Sequence, residues 1–237
     1  SAALKFASRA LQQLKTIDRR SQATASQTFA CAGGGSFTVT ITLAGTALQA
    51  GDTIRIDFSN CVEAGVTTAG SLSMAVVAIG GTEAAPLVTA DASIINFQST
   101  IAGLTERTNG AMRITIDDTS PATTVVSVSS SAITSERLRN GVLRASRTLA
   151  NLDVRESLSA ATGQTTTTAA FIASGNFPRL GEGSFEVQTL QSIVRDPGAA
   201  RPRAGQVRIV GASNASVLAS VVSSGLRSEE RRVGKEC

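Results

Sequence analysis

Gly35-Ser-Phe-Thr-Val-Thr-Ile-Thr-Leu43, followed after a short loop by Asp52-Thr-Ile-Arg-Ile-Asp-Phe-Ser-Asn-Cys61, decides the fold class. In the first segment Phe37, Val39, Ile41 and Leu43 alternate with Ser and Thr; in the second, Ile54, Ile56 and Phe58 alternate with Thr53, Arg55 and Asp57. A period of two puts apolar side chains on one face and polar ones on the other, the pattern of half-buried antiparallel strands. Working outward, a Gly followed by alternating residues recurs at Gly70-Ser-Leu-Ser-Met74, Gly110-Ala-Met-Arg-Ile114, Gly141-Val-Leu-Arg-Ala145, Gly183-Ser-Phe-Glu-Val187 and Gly205-Gln-Val-Arg-Ile209. Each reads as a turn followed by a strand, and the irregular spacing suits a meander of unequal hairpins better than a solenoid. Asn109-Gly110 and Asn140-Gly141 are the strongest turn signals, because both residue types accept positive φ. Further strands fit around Leu87–Phe97, Val125–Ser131, Ala169–Ala173 and Val217–Val222, about a dozen in all.

The flanks differ from this pattern. Leu4, Ala7, Leu11 and Leu14 recur at three- and four-residue spacing, which predicts an amphipathic helix over residues 1–20, with Lys5 and Lys15 on its charged side. A Ser/Thr/Gln/Ala linker is expected over 21–28, and an antiparallel β domain over 29–226. The expected fold is therefore mainly β: a long antiparallel meander curved into a half-barrel or open barrel, with one N-terminal amphipathic helix packed on it. Residues 227–237, Arg-Ser-Glu-Glu-Arg-Arg-Val-Gly-Lys-Glu-Cys, change composition abruptly and resemble the conceptual translation of a short-read sequencing adapter. That resemblance marks them as a non-native tail, so Val217–Val222 is expected to lack a neighbour and to expose an edge.

Composition excludes several function classes. Of 237 residues 42% are hydrophobic and 17% charged, and the net charge of +4 is too diffuse for a nucleic-acid-binding surface. There is no His, Trp or Tyr, which removes Ser-His-Asp and Cys-His pairs, histidine metal sites and most base-stacking platforms. No run approaches the length of a membrane-spanning helix, and the missing Trp and Tyr speak against a transmembrane barrel with aromatic girdles.

Cys31 and Cys61 flank the first strong hairpin, next to Gly33-Gly34-Gly35 and to Ser59-Asn60. Both sit at strand ends beside polar residues, which favours a disulfide and an oxidising compartment over a pair of reduced, buried thiols. Strict pairing of Cys31 with Cys61 would set Phe37 opposite Arg55, so a bulge is required. Cys31-Ala-Gly-Gly-Gly-Ser-Phe37, Ala50-Gly-Asp-Thr-Ile-Arg-Ile-Asp-Phe-Ser-Asn-Cys61 and Gly205-Gln-Val-Arg-Ile-Val-Gly-Ala-Ser-Asn-Ala-Ser-Val217 resemble an uncharacterised family of β-rich secreted or envelope proteins of proteobacteria. The resemblance implies a disulfide at the cysteine pair, a periplasmic or extracellular location, and a further strand after the last segment. A looser similarity of architecture is to periplasmic lipoprotein-carrier half-barrels, in which a curved sheet wraps a helix.

Other constellations are weaker. Asp117-Asp118-Thr119, or Asp52 with Asp57, lack the six or more oxygens of a calcium loop, so no metal and no cofactor are expected. Arg113, Arg144, Arg155 and Arg208 lie at polar phase on strands, where a solvated face outweighs a basic stripe for anionic lipid or polysaccharide. The leading expectation is a non-enzymatic extracytoplasmic protein that binds an apolar or amphipathic ligand, or an envelope partner, in the concave face of its sheet. The expected partner is a lipid or an envelope component. The alternative is a structural or adhesive module with no ligand pocket, for which the Thr/Ser-rich faces speak.

Overall fold

A computed structural model describes residues 24–45, 49–82, 84–177, 181–211, 215–222 and 225–231. They form one antiparallel sheet of thirteen strands whose order in space is their order in sequence. The strands are β1 (Thr24–Ala30), β2 (Ser36–Thr42), β3 (Thr53–Glu63), β4 (Val66–Thr82), β5 (Ala85–Ile101), β6 (Leu104–Ser120), β7 (Thr123–Arg139), β8 (Val142–Ser159), β9 (Thr165–Phe177), β10 (Gly181–Arg195), β11 (Ala204–Val210), β12 (Ser216–Val222) and β13 (Gly225–Arg231). The order begins at β1 and ends at β13, so the meander is open and does not close into a barrel. No helix occurs among the described residues, and the helix expected over residues 1–20 lies outside them. The linker expected over 21–28 is already strand from Thr24 onward, paired residue for residue with β2. β12 does have a neighbour: it pairs with β13, which reaches into the adapter-like tail, so the edge is β13 and not Val217–Val222.

Three hairpins turn through two residues that both have positive φ: Ala64-Gly65, Ala102-Gly103 and Asn140-Gly141. That geometry matches the right-handed twist of the flanking strands. Asn140-Gly141 is the turn the sequence signals. Asn109-Gly110 is not a turn; both residues lie inside β6. Asn109 meets a bulge in β5, where Asn96 has φ 47° and its N–H donates to the Asn109 side-chain oxygen at 2.6 Å, whereas Gly110 gives room to Ala132 and Ile133 of β7. Gly70 faces the same bulge from β4, and a Cβ there would collide with the Asn96 carbonyl. Register shifts of this kind occur at Phe58/Cys61, Ala69/Ser71, Ile94/Phe97, Gly110/Arg113 and Ala150/Asp153, running from strand to strand across the sheet. Each extra residue raises local twist and bends its strand, which lets strands of 17 residues avoid lying flat.

Burial is concentrated at one corner. Of the ten buried apolar residues described, Cys31, Val39, Ile41, Ile56, Phe58 and Cys61 form one cluster on the β1–β2 turn, β2 and β3, with Phe29, Phe37, Leu43, Ile54, Leu72 and Phe97 packed against it. Phe29, Phe37, Phe58 and Phe97 stand in a row with successive ring centroids 5.0, 5.9 and 5.7 Å apart. Cys31 and Cys61 are joined in a disulfide, Cα to Cα 5.4 Å, that fastens the β1–β2 turn to the end of β3. The offset foreseen between the bridge and the strand pairing is real: Phe37 faces Phe58, not Arg55, and the bulge at Asn60 takes up the difference.

Candidate functional site

The pairing register separates two chemically distinct faces. On one, directly opposed residues read Val39, Ile56, Leu72, Ile94, Gly110, Ile133, Leu149, Ala173 and Phe185 across nine consecutive strands. A parallel row reads Val76, Ala90, Ile114, Val128, Val154 and Ala169. Away from the disulfide corner these side chains are mostly half-buried, and Ile79 and Ile116 on the same face are exposed. Among the described residues nothing stacks on this face as a second layer, since every strand contact beyond the weakest joins sheet neighbours.

The opposite face is polar. Its corresponding row reads Thr53, Ala75, Asp91, Arg113, Ser129, Asp153, Ala170, Gln188 and Arg208. An open groove of about 830 Å³ runs along this polar face, lined in part by Arg55, Ser73, Asp91, Ser93, Arg113 and Ser129. Small Ser and Ala side chains in the row Arg55, Ser73, Ser93, Ala111 leave the depression between larger neighbours. The groove thus lies on the wet face and not on the apolar one.

Its charges are internally satisfied. Arg55 donates from Nε and Nη2 to Asp57 at 2.7 to 3.0 Å, and the Ser71 hydroxyl also donates to that carboxylate. Arg113 donates to both oxygens of Asp91 at 2.7 and 2.9 Å. These guanidinium hydrogen bonds hold both carboxyls below the usual carboxylate range and both guanidiniums above theirs. Asp117 is held low chiefly by the Thr119 hydroxyl, then by the Thr119 N–H, with the charge of Arg155 adding to it. Carboxylates stabilised in the ionised form are poor general acids near neutrality.

The remaining sequence candidates resolve as follows. Arg113, Arg155 and Arg208 do share the polar face, where Arg113 pairs with Asp91, the charge of Arg155 acts on Asp117, and Arg208 donates to the neutral amide of Gln188. Arg144 stands apart, near the β7–β8 turn. Asp52 is buried and accepts the N–H groups of Ala44 at 2.7 Å and Gln49 at 3.0 Å, which makes it a loop-closing residue. Among the described residues, the grouping of three metal-capable side chains is Cys31, Cys61 and Glu63, and the bridge consumes both sulfurs. No helix among the described residues is long and apolar enough to cross a membrane. Sequence reasoning missed the groove because its walls come from residues on neighbouring strands about 20 positions apart, as in Arg55 opposite Ser73 and Asp91 opposite Arg113. Comparison with protein-family profiles, with curated proteins and with solved structures finds no match.

Proposed function

We propose that the protein is a non-enzymatic extracytoplasmic β protein that binds an apolar or amphipathic ligand, or an envelope partner, against the apolar face of its sheet. The observation that carries this reading is the apolar row from Val39 to Phe185, only partly buried beyond the disulfide corner except at Ala173. Water against so much aligned apolar surface is costly, and faces of this extent are where partners bind. The disulfide fits a periplasmic or extracellular location. Arginine-locked carboxylates and the missing histidine support a role without catalysis.

A second reading, a structural or adhesive module, is favoured by the hydroxyl ladder Thr24 to Thr42, Ser26 to Thr40 and Thr28 to Thr38 at 3.2, 3.1 and 2.8 Å, which stiffens the β1–β2 hairpin without any ligand. Native mass spectrometry of the protein secreted to a bacterial periplasm separates the two. A two-hydrogen deficit with a co-purifying lipid, lost in Met112→Glu on the apolar face, is the expected result. An oxidised but empty protein overturns the ligand-binding reading in favour of the structural one, and a reduced protein overturns the location.

A further inference from the structure

The three most exposed large hydrophobic side chains among the described residues, Val142 at 54%, Leu143 at 52% and Ile101 at 52%, stand at the same end of the sheet. They belong to two hairpins, β5–β6 and β7–β8, whose turns touch: the Asn140 N–H donates to the Gly103 carbonyl at 2.8 Å. Strands β6 and β7 carry the contact between them, with Leu104 opposite Arg139. Single exposed aliphatics need no explanation, but three at the tips of two joined, tightly turned hairpins form an exposed apolar edge at one end of the sheet.

The surrounding charge is one-sided. Segments 101–107 and 136–147 contain Arg107, Arg137, Arg139, Arg144 and Arg147 against Glu106 and Glu136, five minus two, a net +3. Both glutamates are engaged, Glu106 with Arg137 at 2.8 Å and Glu136 with Arg107 at 3.3 Å. Arg139, Arg144 and Arg147 are exposed and have no carboxylate partner among the described residues, and the Arg147 guanidinium lies 5.7 Å above the Phe177 ring.

We propose that this double hairpin tip docks on the surface of a bilayer containing anionic lipid. Val142, Leu143 and Ile101 enter the interface between headgroups and acyl chains, while the three unpaired arginines sit at headgroup depth. Aliphatic side chains ringed by unpaired cations are the composition of interfacial anchors. A second copy of the chain is a poor occupant, because two tips of net +3 repel one another. The turn residues are already fixed by the Asn140–Gly103 hydrogen bond, so little ordering is lost on docking. The proposal does not rest on ligand binding at the apolar face.

The test is co-flotation of the full chain with phosphatidylcholine vesicles, alone and with about one-third phosphatidylglycerol. Binding is expected only to the anionic vesicles and is expected to fade as salt rises. Arg139→Gln with Arg144→Gln should weaken it about 25-fold, taking roughly fivefold for each arginine at an anionic surface. Val142→Ser with Leu143→Ser should weaken it by at least about tenfold, whereas Arg139→Lys with Arg144→Lys keeps the charge and should retain binding. Leu158→Ser removes a 45% exposed leucine at the other end of β8 and should change nothing. Equal binding to both vesicle types, no binding to either, or a loss in Leu158→Ser as large as at the tip overturns the proposal. Dimerisation that depends on Val142 and Leu143 overturns it too.

Discussion

Asp57 and Asp91 show how the polar face commits its charge. Each carboxylate is held low by the arginine that donates to it, and each pair is substantially exposed to solvent. A carboxyl whose pKa is lower in the folded chain contributes stability above its ordinary value, near 4, and loses it as pH falls through the folded value. Thermal unfolding followed from pH 5 down to pH 2 should therefore show a falling Tm. Asp57→Asn should flatten that dependence, by on the order of 2 °C because solvent screens the pair; an unchanged slope would remove Asp57 from the account. The cysteines act on a larger energy scale. Closing the 30-residue separation between Cys31 and Cys61 contributes about 3 to 4 kcal/mol in the chain-entropy view. Cys31→Ala with Cys61→Ala should lower the urea midpoint accordingly, and reductant should do the same to the parent protein while leaving the double variant unaffected.

Among elements, the bulges matter more than the turns. Gly70 and Gly141 share positive φ, but only Gly70 is pressed against a neighbouring strand, where a Cβ would strike the Asn96 carbonyl and Phe97. Gly141 has open space around its Cβ position. Gly141→Ala should cost about 1 kcal/mol for the backbone alone. Gly70→Ala should cost at least about 3 kcal/mol, since it adds a clash that strand separation alone relieves. Equal costs by urea unfolding would mean that the bulge at Asn96 is not holding the register. The same bulge explains the misread dipeptide. Asn109 and Gly110 have turn chemistry, but Asn109 spends it on a side-chain hydrogen bond to Asn96 and Gly110 on leaving room for Ala132 and Ile133 of β7. Conversely, Ala64-Gly65 and Ala102-Gly103 do turn the chain, although alanine carries no turn signal and resists positive φ. Hairpin closure there is imposed by the long paired strands on either side.

At the scale of the whole molecule, a sheet of thirteen strands in sequence order has two edges. β1 reads Thr-Ala-Ser-Gln-Thr-Phe-Ala and carries no charge or proline to guard its outer side. β12 is as unguarded, with the sequence Ser-Val-Leu-Ala-Ser-Val-Val, and it is the charged strand β13, Gly-Leu-Arg-Ser-Glu-Glu-Arg, that covers it. Ending the chain after Leu226 should uncover β12 and produce concentration-dependent association in light scattering, relative to the full chain. A monomer at high concentration would mean that the adapter-like residues contribute nothing to the edge.

Alternation of apolar and polar residues was enough to read β2 through β12, their antiparallel sense and the wet face, but not β1 or β13, because the period of two is a local property of a pleated backbone. The cysteine pair was legible for a related reason: two thiols at strand ends flanking one hairpin lie within reach of each other once the hairpin forms. The alignment of Val39 through Phe185 into one apolar row and the gathering of Ile101, Val142 and Leu143 with Arg139, Arg144 and Arg147 were settled by tertiary structure. Each depends on register between strands tens of residues apart, and register is set by where the bulges fall. A bulge is a backbone event shared by two strands, so neither strand's sequence carries it alone.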